Sequence, residues 1–249
     1  MIIMALMLSS RTAYCGEKSL EIDQAEVAKN APTAKTMEFK AGNILSLISS
    51  APKAGVAAAA VRNRYAKTAF SLAGTFGLRP AGSLTVTDTV AGSFTPAAVS
   101  FFSWPSVTAE RDFRAHPDWA AIKATRPQGW DELRIHDVVL TKDLTVTFHA
   151  DKTYTMATAW INPEHPGDYD LYLSNIVPAV TASGGRFIYQ MRDPQFNALA
   201  TQIGAPSRVT LVEWESQEGL SDFLNTDGYK DNAHYMQRGV TAFELVVLD

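Results

Sequence analysis

The sequence predicts an α+β fold made of two tandem ferredoxin-like βαββαβ units. Three observations predict it: the order of strand-like and helix-like stretches, the recurrence of that order, and an aromatic pattern that recurs with it. A chain of 249 residues has room for one large domain or two of ordinary size. Residues 1–40 are expected to be an N-terminal segment, 41–145 the first repeat and 146–249 the second.

The first unit opens with Asn43 to Ser49, a short apolar run between Gly42 and Pro52 that reads as a buried strand. Pro52 to Phe76 is rich in Ala, with Val56, Ala60, Tyr65, Ala69 and Leu72 near helical spacing and Gly77 just past its end. Ser83 to Val90 alternates with period two, and Ala97 to Trp104 is rich in Val, Phe and Trp; both read as strands. Ser106 is placed to cap a helix over Val107 to Ala115, which Pro117 breaks and restarts. Leu133 to Leu140 closes the unit as a strand.

The second unit repeats the order. Lys152 to Ile161 is a strand and His165 to Ser183 a helix, with Tyr169, Tyr172, Leu173, Ile176 and Val180 on its apolar face. Gly184 and Gly185 stop that helix before the strand Arg186 to Arg192. Gln195 to Pro206 reads as a connection and Ser207 to Trp214 as a strand. Helical stretches over Gln217 to Leu224 and Tyr229 to Gln237 lead to the last strand, Thr241 to Leu248. Placing Trp104 on Trp214 also places Ser106 on Ser216, Asp112 on Asp222, Phe113 on Phe223 and Trp119 on Tyr229, as a tandem duplication would.

Tyr169-x-x-Tyr172, Pro178, Gly184-Gly185-Arg186, Glu213-Trp214-x-Ser216, Phe223 and Tyr229 carry a resemblance. The second repeat resembles an uncharacterised small domain of the dimeric α+β-barrel superfamily. That domain is known for tyrosines on its first helix, a Gly-Gly-Arg turn and a Glu-Phe-Pro-Ser step. Here Trp214 replaces the Phe and Glu215 the Pro. The first repeat keeps Trp104-Pro105-Ser106, has Ser103 for the Glu, and lacks the other two motifs. The resemblance implies that the two units set their sheets face to face as an intrachain dimeric α+β-barrel with two non-equivalent pockets. Its superfamily contains cofactor-free monooxygenases, isomerases, haem-binding enzymes and proteins with no known reaction.

The expected function is binding of a small, partly apolar molecule in the second repeat, with oxygenase or isomerase turnover left open. Glu213 is the candidate catalytic base, since burial would raise its pKa. Tyr169, Tyr172, Arg186, Trp214 and His165 are the candidate substrate-binding residues. The alternatives are an ion pair of Glu213 with Arg186 or Arg208 in a non-catalytic protein, and a haem enzyme of the same superfamily. No cofactor is expected, and homo-oligomerisation stays open.

The five histidines show no metal-ligand spacing, and His149 with Asp151 lacks a third ligand. The lone Cys15 cannot form an intramolecular disulfide. A net charge of -4, with no basic run, argues against a nucleic-acid surface. No apolar run is long enough to span a bilayer. Met1 to Cys15 resembles a signal peptide without its basic n-region, which would make the protein periplasmic or secreted, and otherwise cytoplasmic. Glu17 to Lys40 reads as a weakly ordered lead-in with one short helix, Ile22 to Lys29.

Overall fold

Strands that bury apolar residues on both faces need both faces covered, and the chain does this by curling its sheet around one core and packing helices outside. The computed structural model describes residues 34–199 and 204–249, which belong to one compact unit, Thr33–Asp249. The signal-like segment and the helix expected over Ile22 to Lys29 lie outside the described residues.

The first βαββαβ unit consists of β2 (Ile44–Pro52), α1 (Val56–Thr75), β3 (Arg79–Ala91), β4 (Ala98–Trp104), α2 (Val107–Arg114), α3 (Pro117–Lys123), α4 (Arg126–Gly129) and β5 (Trp130–Val139). The second consists of β7 (Thr153–Ile161), α5 (Asp168–Ala182), β8 (Gly185–Arg192), β10 (Arg208–Trp214), α6 (Glu218–Asn225), α7 (Asp227–Gly239) and β11 (Val240–Leu248). Within the units the strands lie in the orders β3-β4-β2-β5 and β8-β10-β7-β11, all antiparallel, with the first strand central in each. Ser106 caps α2 as expected, its Oγ accepting from the Ala109 amide at 3.1 Å.

Each unit lends half a strand to the other. The first part of β3 pairs with β4, and its continuation, Val86 to Ala91, pairs with β11. On the other side β8 pairs with β10, the chain kinks at Asp193 (φ 44°), and β9 (Gln195–Leu199) pairs with β5 from Asp137↔Gln195 to Leu133↔Leu199. Because β8 and β9 follow one another along the chain, the nine-stranded order β8-β10-β7-β11-β3-β4-β2-β5-β9 closes on itself. The stretch expected as a bare connection is therefore the strand that closes the barrel.

Two further strands depart from expectation. β1 (Ala34–Phe39) falls in the expected lead-in, and it pairs antiparallel with β6 (Leu144–His149) as a separate ribbon. Met37 and Phe39 from β1, with Val146 and Phe148 from β6, join Leu45, Leu47, Val99, Phe101, Tyr154, Met156, Val209, Leu211, Val246 and Leu248 in the interior core. The ribbon crosses close over Gly82, where a Cβ would lie 2.1 Å from the Met37 methyl. The helices cover the outer faces of the sheets, Phe113 packing on Trp104 in one unit and Phe223 on Trp214 in the other.

The glycine pair before β8 has separable roles. Gly184 takes φ 73° to end α5, a conformation costly for other residues. Gly185 lies under α5, and a Cβ there would meet Val180 at 2.6 Å and Trp214 at 2.7 Å. Gly185→Ala should therefore lower stability by about 1–3 kcal/mol through overpacking, read as an earlier urea midpoint at unchanged slope.

Candidate functional site

Two cavities lie between sheet and helices, one in each unit. In the second unit α5 presents Tyr169, Tyr172, Ile176 and Val180 to the sheet, and these side chains fill much of the space. The remaining cavity, about 230 Å³, is walled by Tyr169, Tyr172, Phe187, Trp214, Phe223, Tyr229 and Phe243, with Thr155 and Thr210 on its floor. The Tyr169 and Tyr172 rings stack at 5.9 Å, and burial pushes both hydroxyls well above the ordinary tyrosine range. Trp214 Nε1 donates to Thr155 Oγ1 at 3.0 Å.

Three of the residues predicted for this pocket thus meet in its wall: Tyr169, Tyr172 and Trp214. The other three stand elsewhere. Alternation along β10 sends Val212 and Trp214 to the helix side, while Glu213 accepts from the Tyr154 hydroxyl at 3.1 Å and pairs with Arg186 at 2.8 Å. Tyr154 belongs to the interior core, so that carboxylate turns away from the second cavity, and among the described residues no acid lines the cavity. Arg186 is largely exposed. His165 sits in the turn before α5, 3.9 Å from Asp168, and does not line the cavity.

The first unit is chemically richer. Its helix α1 lines a cavity of about 210 Å³ with Ala66, Ala69 and Ala73, where the second unit's helix lines its own with rings and branched chains. Phe70, Phe102, Trp104, Phe113, Trp119 and Trp130 give it aromatic walls. From β5, Leu133, Ile135 and Asp137 project into it, since alternate residues share a face. Asp137 is 5% exposed and accepts from Ser46 Oγ across the β2–β5 ladder and from Arg114 Nη2 at 2.8 Å. Arg114 Nε binds Glu110, so two carboxylates share that guanidinium. Burial holds the Asp137 pKa above the ordinary carboxylate value, with the Ser46 bond and the Arg114 charge opposing. At the Trp130 side, Arg126 Nε donates to the Tyr65 hydroxyl at 2.8 Å, and Tyr65 meets Trp130 edge-on at 5.1 Å. Burial raises the Tyr65 pKa, and Arg126 opposes it.

Asp137, Ser46, Arg114, Arg126 and Tyr65 were not singled out from the sequence. The signal for Asp137 was an acid continuing the apolar face Leu133, Ile135; the signal for the cavity was the run of small residues along α1.

The barrel interior holds a third polar group between the units. Arg134 of β5 pairs with Glu244 of β11 at 2.5 Å and with Glu132 at 2.6 Å, and lies 4.0 Å from the Phe94 ring centre. His136, beside it, stacks on Phe196 at 5.0 Å. Neither of its ring nitrogens has a partner among the described residues, and burial first, then the Arg134 charge, pushes its pKa down to about 3. No group of three or more His, Cys, Asp or Glu side chains suited to a metal ion occurs among the described residues. Among the described residues neither helix-side cavity is lined by a histidine or cysteine, while Tyr169, Tyr172, Tyr229 and Met236, of residue types that can ligate a haem iron, line the second. Among the described residues no helix is long and apolar enough to cross a membrane.

No protein-family model matches the chain, and no curated protein does. Solved structures do. An anthrone oxidase-like protein superposes with a TM-score of 0.54 at 10% identity, covering 85% of this chain and 94% of its own. A provisionally assigned monooxygenase from Fusobacterium nucleatum subsp. nucleatum gives 0.45 at 12% identity, covering 85% and 93%. A chlorite dismutase mutant from Candidatus Nitrospira defluvii gives 0.44 at 7% identity, covering 85% and 93%. At these identities a likeness speaks for fold alone, and the first of them agrees with the strand order above: the chain is a dimeric α+β-barrel closed within a single polypeptide.

Proposed function

We propose that the chain binds a small, flat, mostly apolar molecule in the cavity of its first unit, and that Asp137 removes a proton from it. The observation that carries this reading is a buried carboxylate, raised in pKa and held by Ser46 and Arg114, facing an aromatic-walled cavity. Such a carboxylate is a stronger base than an exposed one, and Ser46 and Arg114 fix its orientation. The proton passes from an acidic C–H beside a carbonyl to a carboxylate oxygen, leaving a delocalised anion. Where that anion meets dissolved O2, oxygenation follows; where it is reprotonated at another carbon, the outcome is isomerisation. In this reading the two units descend from a duplication. The second cavity, with Tyr169, Tyr172 and Trp214 in its wall and no acid, binds without turnover, and Glu213 holds the ends of β7, β8 and β10 together.

The name of the anthrone oxidase-like neighbour suggests the first probe. Anthrone and O2 should give anthraquinone and water faster with the protein than without, followed by absorbance. Asp137→Asn should lower that rate by about 10²–10⁴ while anthrone still quenches tryptophan fluorescence saturably. The active form is the carboxylate, so the rate should fall as pH is lowered, with a midpoint above the ordinary 3.8. Saturable quenching combined with an unchanged rate in Asp137→Asn would remove the catalytic part and leave binding. Absence of saturable quenching would remove both.

A further inference from the structure

We infer that the ligand of the first cavity carries an anionic oxygen group, a carboxylate or phenolate on a flat apolar body, and that Arg126 receives it. The inference rests on the reading of that cavity as a binding site, and deepens it.

Two cations line the cavity, Arg114 and Arg126. Arg114 already pairs with two carboxylates, Glu110 and Asp137. Arg126 is 6% exposed and has no carboxylate partner among the described residues. Its one side-chain hydrogen bond there runs from Nε to the Tyr65 hydroxyl, and its guanidinium carbon stands 5.0 Å from the Trp119 ring centre and 5.4 Å from that of Tyr65. Stacking on two aromatic rings offsets only part of the hydration that a buried cation gives up. A neutral side chain would pack between Tyr65 and Trp119 without that cost. A nearly buried guanidinium whose fork meets no acid among the described residues suits an anionic oxygen supplied from outside, because Arg binds carboxylates through two parallel N–H donors. The orientation then follows: the anion goes to Arg126 at the Tyr65–Trp130 side, the apolar body lies along the aromatic walls, and the remaining polar or acidic position faces Asp137.

Arg126 also borders a shallower hollow with Lys123, Pro127 and Asn197, so the test must separate the two sides. The probes are 2-naphthoate and its neutral analogue 2-naphthamide, titrated against the full chain by tryptophan fluorescence. Wild type should bind the naphthoate at least about tenfold more tightly, the difference that one charge-assisted pair typically makes. Arg126→Met should bring the two affinities together, Arg126→Lys should keep part of the preference, and Ala69→Phe, which fills the inner cavity, should weaken both ligands. Equal affinities in wild type, both lost in Ala69→Phe, would overturn the anion assignment while the binding reading stood. A naphthoate preference that survives Arg126→Met, or naphthoate binding that Ala69→Phe leaves undiminished, would overturn it too, by placing the anion elsewhere. If neither probe binds wild type at millimolar concentration, the inference and the reading beneath it both fall.

Discussion

Arg134→Met should cost about 3–5 kcal/mol of folding stability at pH 7, because it strands a carboxylate inside the barrel. Glu244 is 7% exposed and reaches Arg134 across the interior, from the closing strand of one unit to that of the other. Burial already raises its pKa against the pull of Arg134, so without the guanidinium it must either stay charged and unsolvated or take up a proton. Glu132 also loses its partner, but it is more exposed and recovers water. The attraction itself is a poor guide to the cost, since desolvation of both ions cancels much of it. The double variant Arg134→Met/Glu244→Leu should therefore regain most of the loss. Urea unfolding of the four forms measures this. A single-variant loss below about 1 kcal/mol would show that the pair is hydrated and carries no such load.

Acid should destabilise the protein more than its carboxylates explain, and His136 should account for the excess. Its ring is folded in the neutral form, with a pKa pushed down to about 3 against 6.5 for the free side chain. Below pH 6.5 the unfolded chain binds a proton there that the folded chain refuses, so stability is whole above about 6.5 and drains away as pH falls towards 3. At 1.36 kcal/mol per unit, that is about 2 kcal/mol by pH 5. Asp137 and Glu244, both raised by burial, act in the opposite direction, so wild type alone cannot isolate the effect. His136→Phe preserves the stack on Phe196 and removes the proton site. Plotted against pH from 7 to 4, its unfolding free energy should fall less steeply than that of wild type, by up to one proton's worth of slope. Parallel curves would mean that water or another group satisfies the imidazole in the folded protein.

Legibility in the sequence followed the range of the interactions. The eight strands of the two units could be read locally, some from alternation and others as short apolar runs, and Ser106 with its helix needed only four residues. β1, β6 and β9 did not. Their sequences AKTMEF, LTVTFH and QFNAL are short, and β1 and β9 pair with partners far away in the chain, which no local pattern encodes. The site divided for a related reason. β10 is buried on both faces, so the sequence VTLVEW gives no hint whether Glu213 or its neighbours look toward the helices. On β5 the acid that does face a cavity, Asp137, follows Leu133 and Ile135 on the same side. Its importance depends on the alanines of a helix more than 60 positions earlier. Tyr169, Tyr172 and Trp214 share one cavity wall, a grouping that helix periodicity can suggest locally, whereas the cavity beside Ala66, Ala69 and Ala73 is walled by residues from distant elements.

The exchange of half-strands between units also sets a timetable for biosynthesis. While the chain emerges from the ribosome, β3 and β5 stay unzipped on their outer sides until β11 and β9 have been made. At typical elongation rates of 5–20 residues per second, the roughly 55 residues between β5 and β9 take about 3–11 s. Over that interval two strand edges with free amides and carbonyls face the cytosol or the translocation machinery, and this is the geometry that recruits stray strands from neighbouring chains. Holdase chaperones should accordingly matter most to nascent chains that have finished the first unit and not yet begun β9.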